Sequence, residues 1–386
     1  MQKMLVTVKT AAKKEPVLAI SVVLAVISMF FVRPDAAYAS YIDFRTLAIL
    51  FCLMVIVAGM RTIGVFDLIA EKLLKKVNSI SGIVTILVLL CFFLSMVITN
   101  DVSLITFVPF AILILNKFSD QIRRHWLIPC VVMQTAAANL GSMMTPIGNP
   151  QNLYLYGKAN LSVAAFFQLM FPYTELSLIL LLIWIGMHAK LGKQNKAKES
   201  IVFDAKNSTI SDKKKFLVYL LLFFVSLLAV GHILSIWIVL VLVLIWAAAF
   251  DRGLFKSADY ALLGTFAALF IFIGNLGRIP AFCEFLESLI QTREVIVAVV
   301  ASQIMSNVPA AILLSGFTNQ YQALIIGTNL GGLGTMIASM ASLISFKYIS
   351  REDSSGRGRY FAWFTVANVI LLAILLFAWL ILNCGF

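Results

Sequence analysis

Of the 386 residues, 61% are hydrophobic and only 12% charged, and the mean hydropathy is +0.98. That balance excludes a soluble globular domain and defines an integral membrane protein, with the lipid bilayer as its first partner. The net charge of +12 does not point to nucleic acid, because Lys and Arg recur in short blocks between apolar runs, as they do in the loops of membrane proteins.

The chain opens with Lys-rich residues 1–14, an apolar run from Val17 to Val32 and the triplet Ala37-Tyr38-Ala39, which together resemble a secretory signal and its cleavage site. Because many more spans follow, a retained first transmembrane helix is the better reading. A second span covers 44–60. From Ile63 to Val77 the pattern changes: Phe66, Ile69, Leu73 and Leu74 share one face among acids and lysines, which predicts an amphipathic helix at the interface. Gly82 to Thr99 is apolar again, but after Thr99-Asn100-Asp101 the return from Val102 to Leu115 is too short to cross about 30 Å of hydrocarbon. A re-entrant hairpin over 80–115, with its polar tip at depth, satisfies both lengths.

The next segment, 126–157, contains Asn139-Leu-Gly-Ser-Met-Met-Thr-Pro-Ile-Gly-Asn-Pro-Gln-Asn152. Pro146 and Pro150 lack an N–H, and Gly141 and Gly148 are weak helix formers, so the helix must break there. A long span over 161–188 completes a first repeat, 1–188. Residues 189–215 carry eight lysines and no apolar periodicity, and read as a basic cytoplasmic linker.

The second repeat, 216–386, retraces the first. Spans at 216–231, 233–249 and 258–275 lead to an amphipathic segment, Ile279 to Gln291, whose hydrophobic positions match those of Ile63 to Leu73. A hairpin over 294–317 turns at Ser306-Asn307-Val308, and a broken helix over 321–349 contains Asn329-Leu-Gly, with Thr335 where Thr145 falls. Four features in one order indicate an internal duplication. With the amino terminus cytoplasmic, all but five of the 30 Lys and Arg (Arg33, Arg45, Lys158, Arg278 and Arg293) fall inside. The two hairpins then enter from opposite sides and the carboxyl terminus lies outside. The expected fold is an all-α polytopic membrane protein with an inverted-topology repeat, about nine crossings, two re-entrant hairpins and two broken helices.

Broken helices in corresponding halves point to a transporter binding site. The first half contributes Thr99, Asn100 and Asp101 at the tip and Asn139, Gly141, Thr145, Asn149 and Asn152 at the break. The second contributes Ser306 and Asn307, then Asn329, Gly331, Thr335 and Ser339. Helix carboxyl ends with amide oxygens suit a desolvated cation, and opposing helix amino ends suit an anion. The plainer alternative is that these residues cap buried helix ends or glue helices together. Asp101 is the acid placed deepest, a candidate proton carrier or cation ligand, against the alternative of a structural ion pair with Arg61 or Arg278. Glu175 is a weaker candidate, and His188 and His232 sit at span ends. The cysteines show no CxxC or Cys/His spacing, and no enzymatic constellation or cofactor motif stands out, so the chain reads as a non-enzyme without a cofactor.

The duplicated tips, each followed by a broken helix and preceded by an amphipathic helix, resemble the ion transporter superfamily, which includes divalent anion/sodium symporters, citrate transporters, arsenite permeases and a class of sodium/proton antiporters. The resemblance covers nearly the whole chain from the second span onward. It implies a secondary active transporter of a small anion, inorganic oxyanion or carboxylate, coupled to sodium or protons. By similarity to the dicarboxylate symporters, Asn100 and Asn307 would help to hold sodium. The threonine that meets a substrate carboxylate in those symporters is replaced here by Asp101 and Val308, and an Asn-Asp tip is more similar to the arsenite permease and sodium/proton antiporter branches. Arsenite or antimonite efflux and sodium/proton exchange are therefore the alternatives. The resemblance also implies a homodimer in a prokaryotic plasma membrane, with a mobile unit of hairpins and broken helices moving past a scaffold.

Overall fold

The structure, a computed structural model, describes residues 15–191 and 209–384, and these contain helices and no strand. Most of the basic linker lies outside the described residues, as do residues 1–14. The first half comprises α1 (Pro16–Phe31), α2 (Phe44–Thr62), α3 (Val65–Leu74), α4 (Ile80–Ile98), α5 (Asn100–Leu115), α6 (Asp120–Ser142), α7 (Pro150–Ala159) and α8 (Val163–Leu191). The second comprises α9 (Lys213–Val230), α10 (Ile236–Phe250), α11 (Tyr260–Leu276), α12 (Pro280–Ile290), α13 (Glu294–Met305), α14 (Asn307–Leu314), α15 (Tyr321–Leu330), α16 (Met340–Glu352) and α17 (Arg357–Cys384).

Several helices begin where a short polar side chain can accept the backbone N–H groups that no turn satisfies. Asp43 takes the Thr46 N–H to start α2, Ser79 takes that of Gly82 to start α4, Asp212 takes those of Lys214 and Lys215 for α9, and Asp259 takes that of Leu262 for α11. Four helices are long and apolar enough to cross a membrane alone: α2, α4, α8 and α17. The amphipathic α12 leaves α11 at 105°, so it lies across the end of that helix, as its charged face requires.

Although α4 has the length of a full span, it folds back at Thr99. The Ser103 hydroxyl donates to the Cys91 carbonyl at 3.3 Å, and the Gln134 amide reaches both the Leu87 and the Phe107 carbonyl, so α4 and α5 run antiparallel about a tip near residue 97–99. The second hairpin, α13–α14, turns at Ser306 in the same way. Both α6 and α15 pack along their own hairpin. The halves interlock by exchange: α1 of the first packs on α11 of the second, while α10 of the second packs on α2 of the first. Closer to the centre α5 packs on α16 and α14 on α7, the same exchange repeated. The α1–α11 contact is polar at its outer end, where the Asn275 amide donates to Ser28 and Tyr38 and Arg278 pairs with Asp35 at 2.7 Å.

The hairpins meet their broken helices at glycine. A Cβ at Gly141 would collide with the Phe92 carbonyl of α4, and one at Gly331 would stand 2.7 Å from the Ser302 hydroxyl of α13. Backbone cannot yield as a flexible side chain does. Gly141→Ala is therefore expected to destabilise by about 1–3 kcal/mol or more through overpacking. Gly157→Ala, where a Cβ meets open space, should leave stability unchanged or raise it by up to about 1 kcal/mol through helix propensity. Thermal unfolding of the two variants in detergent checks both.

Candidate functional site

Both tips hold an unusual backbone. Thr99 (φ 72°, ψ 153°) and Ser306 (φ 76°, ψ 153°) occupy a region that side-chain-bearing residues rarely adopt, at a cost of about 1–3 kcal/mol each. The same distortion at matched positions re-aims the chain so that the next N–H points at the break. The Asn100 N–H donates to the Gly148 carbonyl at 3.2 Å, and the Asn307 N–H to the Ala338 carbonyl at 2.9 Å. Each tip is thereby sewn to the residue before the second half of its own broken helix, beside Asn149 and Ser339.

Side chains then join the two halves. The Asn139 carbonyl oxygen accepts from the Asn100 amide at 3.1 Å and from the Ser339 hydroxyl of the other half at 3.0 Å. The Asn329 amide donates to the Asn152 oxygen at 2.6 Å, again across the repeat. A third cross-link, from Thr135 to Ser345 at 2.7 Å, lies behind them. Asn100, Asn139, Asn149, Asn152, Ser306, Asn307, Asn329 and Ser339 are all at most 5% exposed, in one polar knot. Asn139 Nδ2, Asn149 Oδ1, Asn329 Oδ1 and Ser342 Oγ are buried there and make no hydrogen bond among the described residues. Oxygens of that kind suit a hard cation such as sodium, and the free amide N–H suits an anion.

Other expected residues have a framework position. Thr145 donates to the Met96 carbonyl at 2.5 Å and Thr335 to the Gln303 carbonyl at 3.3 Å, so each threonine ties its break to the last turn of the hairpin's first helix. Thr335 is exposed, and Gly141 and Gly331 serve close packing. Asp101 lines a cavity of about 410 Å³ between α5 and α2, together with Thr99, Arg61, Asp259 and Pro150. Among the described residues it forms no ion pair: Arg278 pairs with Asp35, and Arg61 donates to the Ile105 carbonyl. The structural ion pair is therefore absent. Glu175 lies exposed on the outer face of α8. His188 is buried and stacked on His125 at 4.3 Å between ring centres, away from the knot.

Two glutamines escaped the sequence reading. Gln134 clamps the first hairpin. Gln303 accepts the Thr335 N–H at 2.8 Å and donates to the Gly331 and Leu333 carbonyls at 2.9 and 3.0 Å, satisfying the end of α15. In the first half that service falls to Asn152, whose amide donates to the Ser142 and Thr145 carbonyls. Each was signalled by a lone amide in an apolar run, Val132-Met-Gln134 and Ala301-Ser-Gln303.

Two re-entrant hairpins facing two broken helices across an inverted repeat, with a shared polar knot at their meeting point, define a membrane transport protein. The chain belongs to the citrate transporter family, whose model matches residues 4–322. It is 35% identical over 318 residues to Uncharacterized transporter MJ0456 of Methanocaldococcus jannaschii, covering 82% of this chain and 84% of that protein. It is 28% identical over 361 residues to Inner membrane protein YbiR of Escherichia coli, covering 90% of this chain and 93% of that protein.

Gln303→Met, which places in the second half the residue found at the matching position of the first, should strand the Gly331 and Leu333 carbonyls and the Thr335 N–H. The expected loss is about 1–3 kcal/mol for each of the two buried carbonyls left unsatisfied, and little for the exposed Thr335 N–H. A lowered unfolding midpoint in detergent would show it.

Proposed function

We propose that this transporter moves a small anion, a carboxylate or inorganic oxyanion, coupled to sodium or protons, with the substrate held at the knot between the two tips and the two breaks. One observation carries the reading: the amino termini of α5, α14, α7 and α16 converge there, tied by the Asn100–Gly148 and Asn307–Ala338 bonds and by Ser339 on Asn139. Each amino terminus presents free N–H groups and a partial positive charge, which favour an anion in a site shielded from water. The carboxyl ends of α4, α13, α6 and α15 meet at the same place and offer carbonyl oxygens to a coupling cation. Membership of a family named for citrate transport supports a carboxylate.

The motion that fits this architecture is of the elevator type. Helices α1, α2 and α9–α11 form a scaffold, the hairpins and broken helices form the moving body, and the cavity between α2 and α5 is the gap beside which it slides. The protein would work as a homodimer in a prokaryotic plasma membrane, with its amino terminus cytoplasmic and its carboxyl terminus outside. Asp101 favours a second reading, arsenite or antimonite efflux or sodium/proton exchange. It is an acid without an ion-pair partner, facing the cavity at the tip, and such a group is a default candidate for carrying a proton or binding a cation.

In proteoliposomes, Asn100→Ala and Asn307→Ala should each abolish ion-dependent accumulation of substrate while the protein still purifies folded. Accumulation at the unmodified rate in both would remove the site from the knot. Asp101→Asn should flatten the pH dependence of transport, and an unaltered pH profile would rule out its carboxylate as proton carrier.

A further inference from the structure

Only five cationic side chains fall on the face that the loop charges assign to the outside, and two of them meet at one place. Arg45, in the first turn of α2, and Lys158, in the last turn of α7, line a single cavity of about 200 Å³. Neither forms an ion pair among the described residues. Arg45 uses one Nη to donate to the Ala229 carbonyl at 3.1 Å, and Lys158 lies 5.9 Å from the centre of the Tyr154 ring. The acid that shares the cavity is Asp43. Its carboxylate is already engaged, accepting from the Thr46 N–H at 3.0 Å and the Thr46 hydroxyl at 2.6 Å as the cap of α2. Nearby His232 adds no charge at neutral pH, since burial and then the charge of Arg45 hold its imidazole below the usual range. The cavity therefore carries a net positive charge.

Its position gives that charge a use. The floor of the cavity is Ile49 of α2 and Leu153 of α7. The cavity that reaches Thr99 and Asp101 begins at the adjacent Leu50 and at Pro150, one turn away on the same two helices. Ile49, Leu50 and Leu153 are each at most 4% exposed, so buried apolar side chains stand between the two cavities where they approach along the seam between these helices. The seam joins a scaffold helix to a helix of the proposed moving body.

We propose that Arg45 and Lys158 form an outer anion-capture subsite at the mouth of the α2–α7 seam, which takes a small carboxylate or oxyanion before it passes to the knot. The inference rests on the anion reading of the transport site and adds a second location on its path. A guanidinium with free donors beside an ammonium is suited to a carboxylate or oxyanion, the first by its fork of N–H groups and the second as a point charge. In a cleft with apolar walls the paired charges raise the local anion concentration.

The test uses Gly157→Cys as a reporter, because a Cβ at that cavity-lining position meets open space. Cys283 and Cys384 are replaced by Ser, and Cys52, Cys91 and Cys130 are buried. In intact cells the reporter is labelled with membrane-impermeant anionic and cationic methanethiosulfonates of similar size. The anionic reagent should react faster, on the order of tenfold, with the ratio falling as salt rises. Arg45→Gln and Lys158→Gln should each pull the ratio towards one, and Asp43→Asn, which keeps a capping oxygen, should raise it. Citrate at constant ionic strength should slow labelling by the anionic reagent, and Arg45→Gln with Lys158→Gln should abolish that protection. Equal rates for the two reagents, or protection that survives the double substitution, overturns the subsite. Accumulation of citrate by the unsubstituted protein is measured in parallel in proteoliposomes. A failed reporter with intact accumulation removes the subsite alone, whereas positive labelling and protection without accumulation keeps the subsite and removes the transport reading.

Discussion

The structure depends on one constraint: helices that stop in mid-membrane must find hydrogen-bond partners for their ends, because hydrocarbon supplies none. Eight helix ends meet at the centre of this protein. Their backbone groups are satisfied by amide side chains and by one another: Asn152 on Ser142 and Thr145, Gln303 on Gly331 and Leu333, and the N–H groups of Asn100 and Asn307 on the loops opposite. The partners that hold these ends also determine what the centre can bind. Once the structural bonds are made, a few buried polar atoms remain without a partner, and these, with the helix dipoles, are the chemistry available to a solute.

The duplication supplies two copies of each piece, and the differences between copies are as informative as the likeness. In the first half, Asn152 serves the break and leaves Met96 in the hairpin apolar. In the second, Ser342 is too short for that service, and Gln303, which stands where Met96 would, performs it from the hairpin. Because Asn152 serves its break through its N–H groups, its oxygen is left to accept from Asn329 across the repeat. The surroundings are unequal too. The second hairpin's return helix, α14, rests on α11, while the first hairpin faces a cavity beside α2 that holds Asp101. One symmetric framework thus places its two tips in different surroundings.

Much of this was legible in the chain. The apolar runs gave α1, α2, α8 and α9 to α11, because burial in lipid demands a composition that few other sequences have. Pro146, Pro150 and the tip triplets marked the breaks, since proline and polar clusters in apolar runs admit few explanations. Of the residues expected from the sequence, Asn100, Asn139, Asn152, Asn307, Asn329 and Ser339 come together in the knot. It also included Thr145, Thr335, Gly141 and Gly331, which recur at matched positions because the framework repeats. Recurrence alone does not separate residues that face a site from residues that hold it in place.

By itself the sequence determined the membrane setting, the order of spans, hairpins and breaks, and the inverted duplication, because each follows from hydropathy, length and charge along one chain. Only the tertiary structure decided which amide satisfies which broken end, that Asp101 faces a cavity without an ion pair among the described residues, and that Arg45 and Lys158 meet across a seam between helices far apart in sequence. Those facts depend on where separate elements come to lie, Gln303 beside Gly331 and α7 beside α2, and such contacts leave no periodicity for the sequence to show.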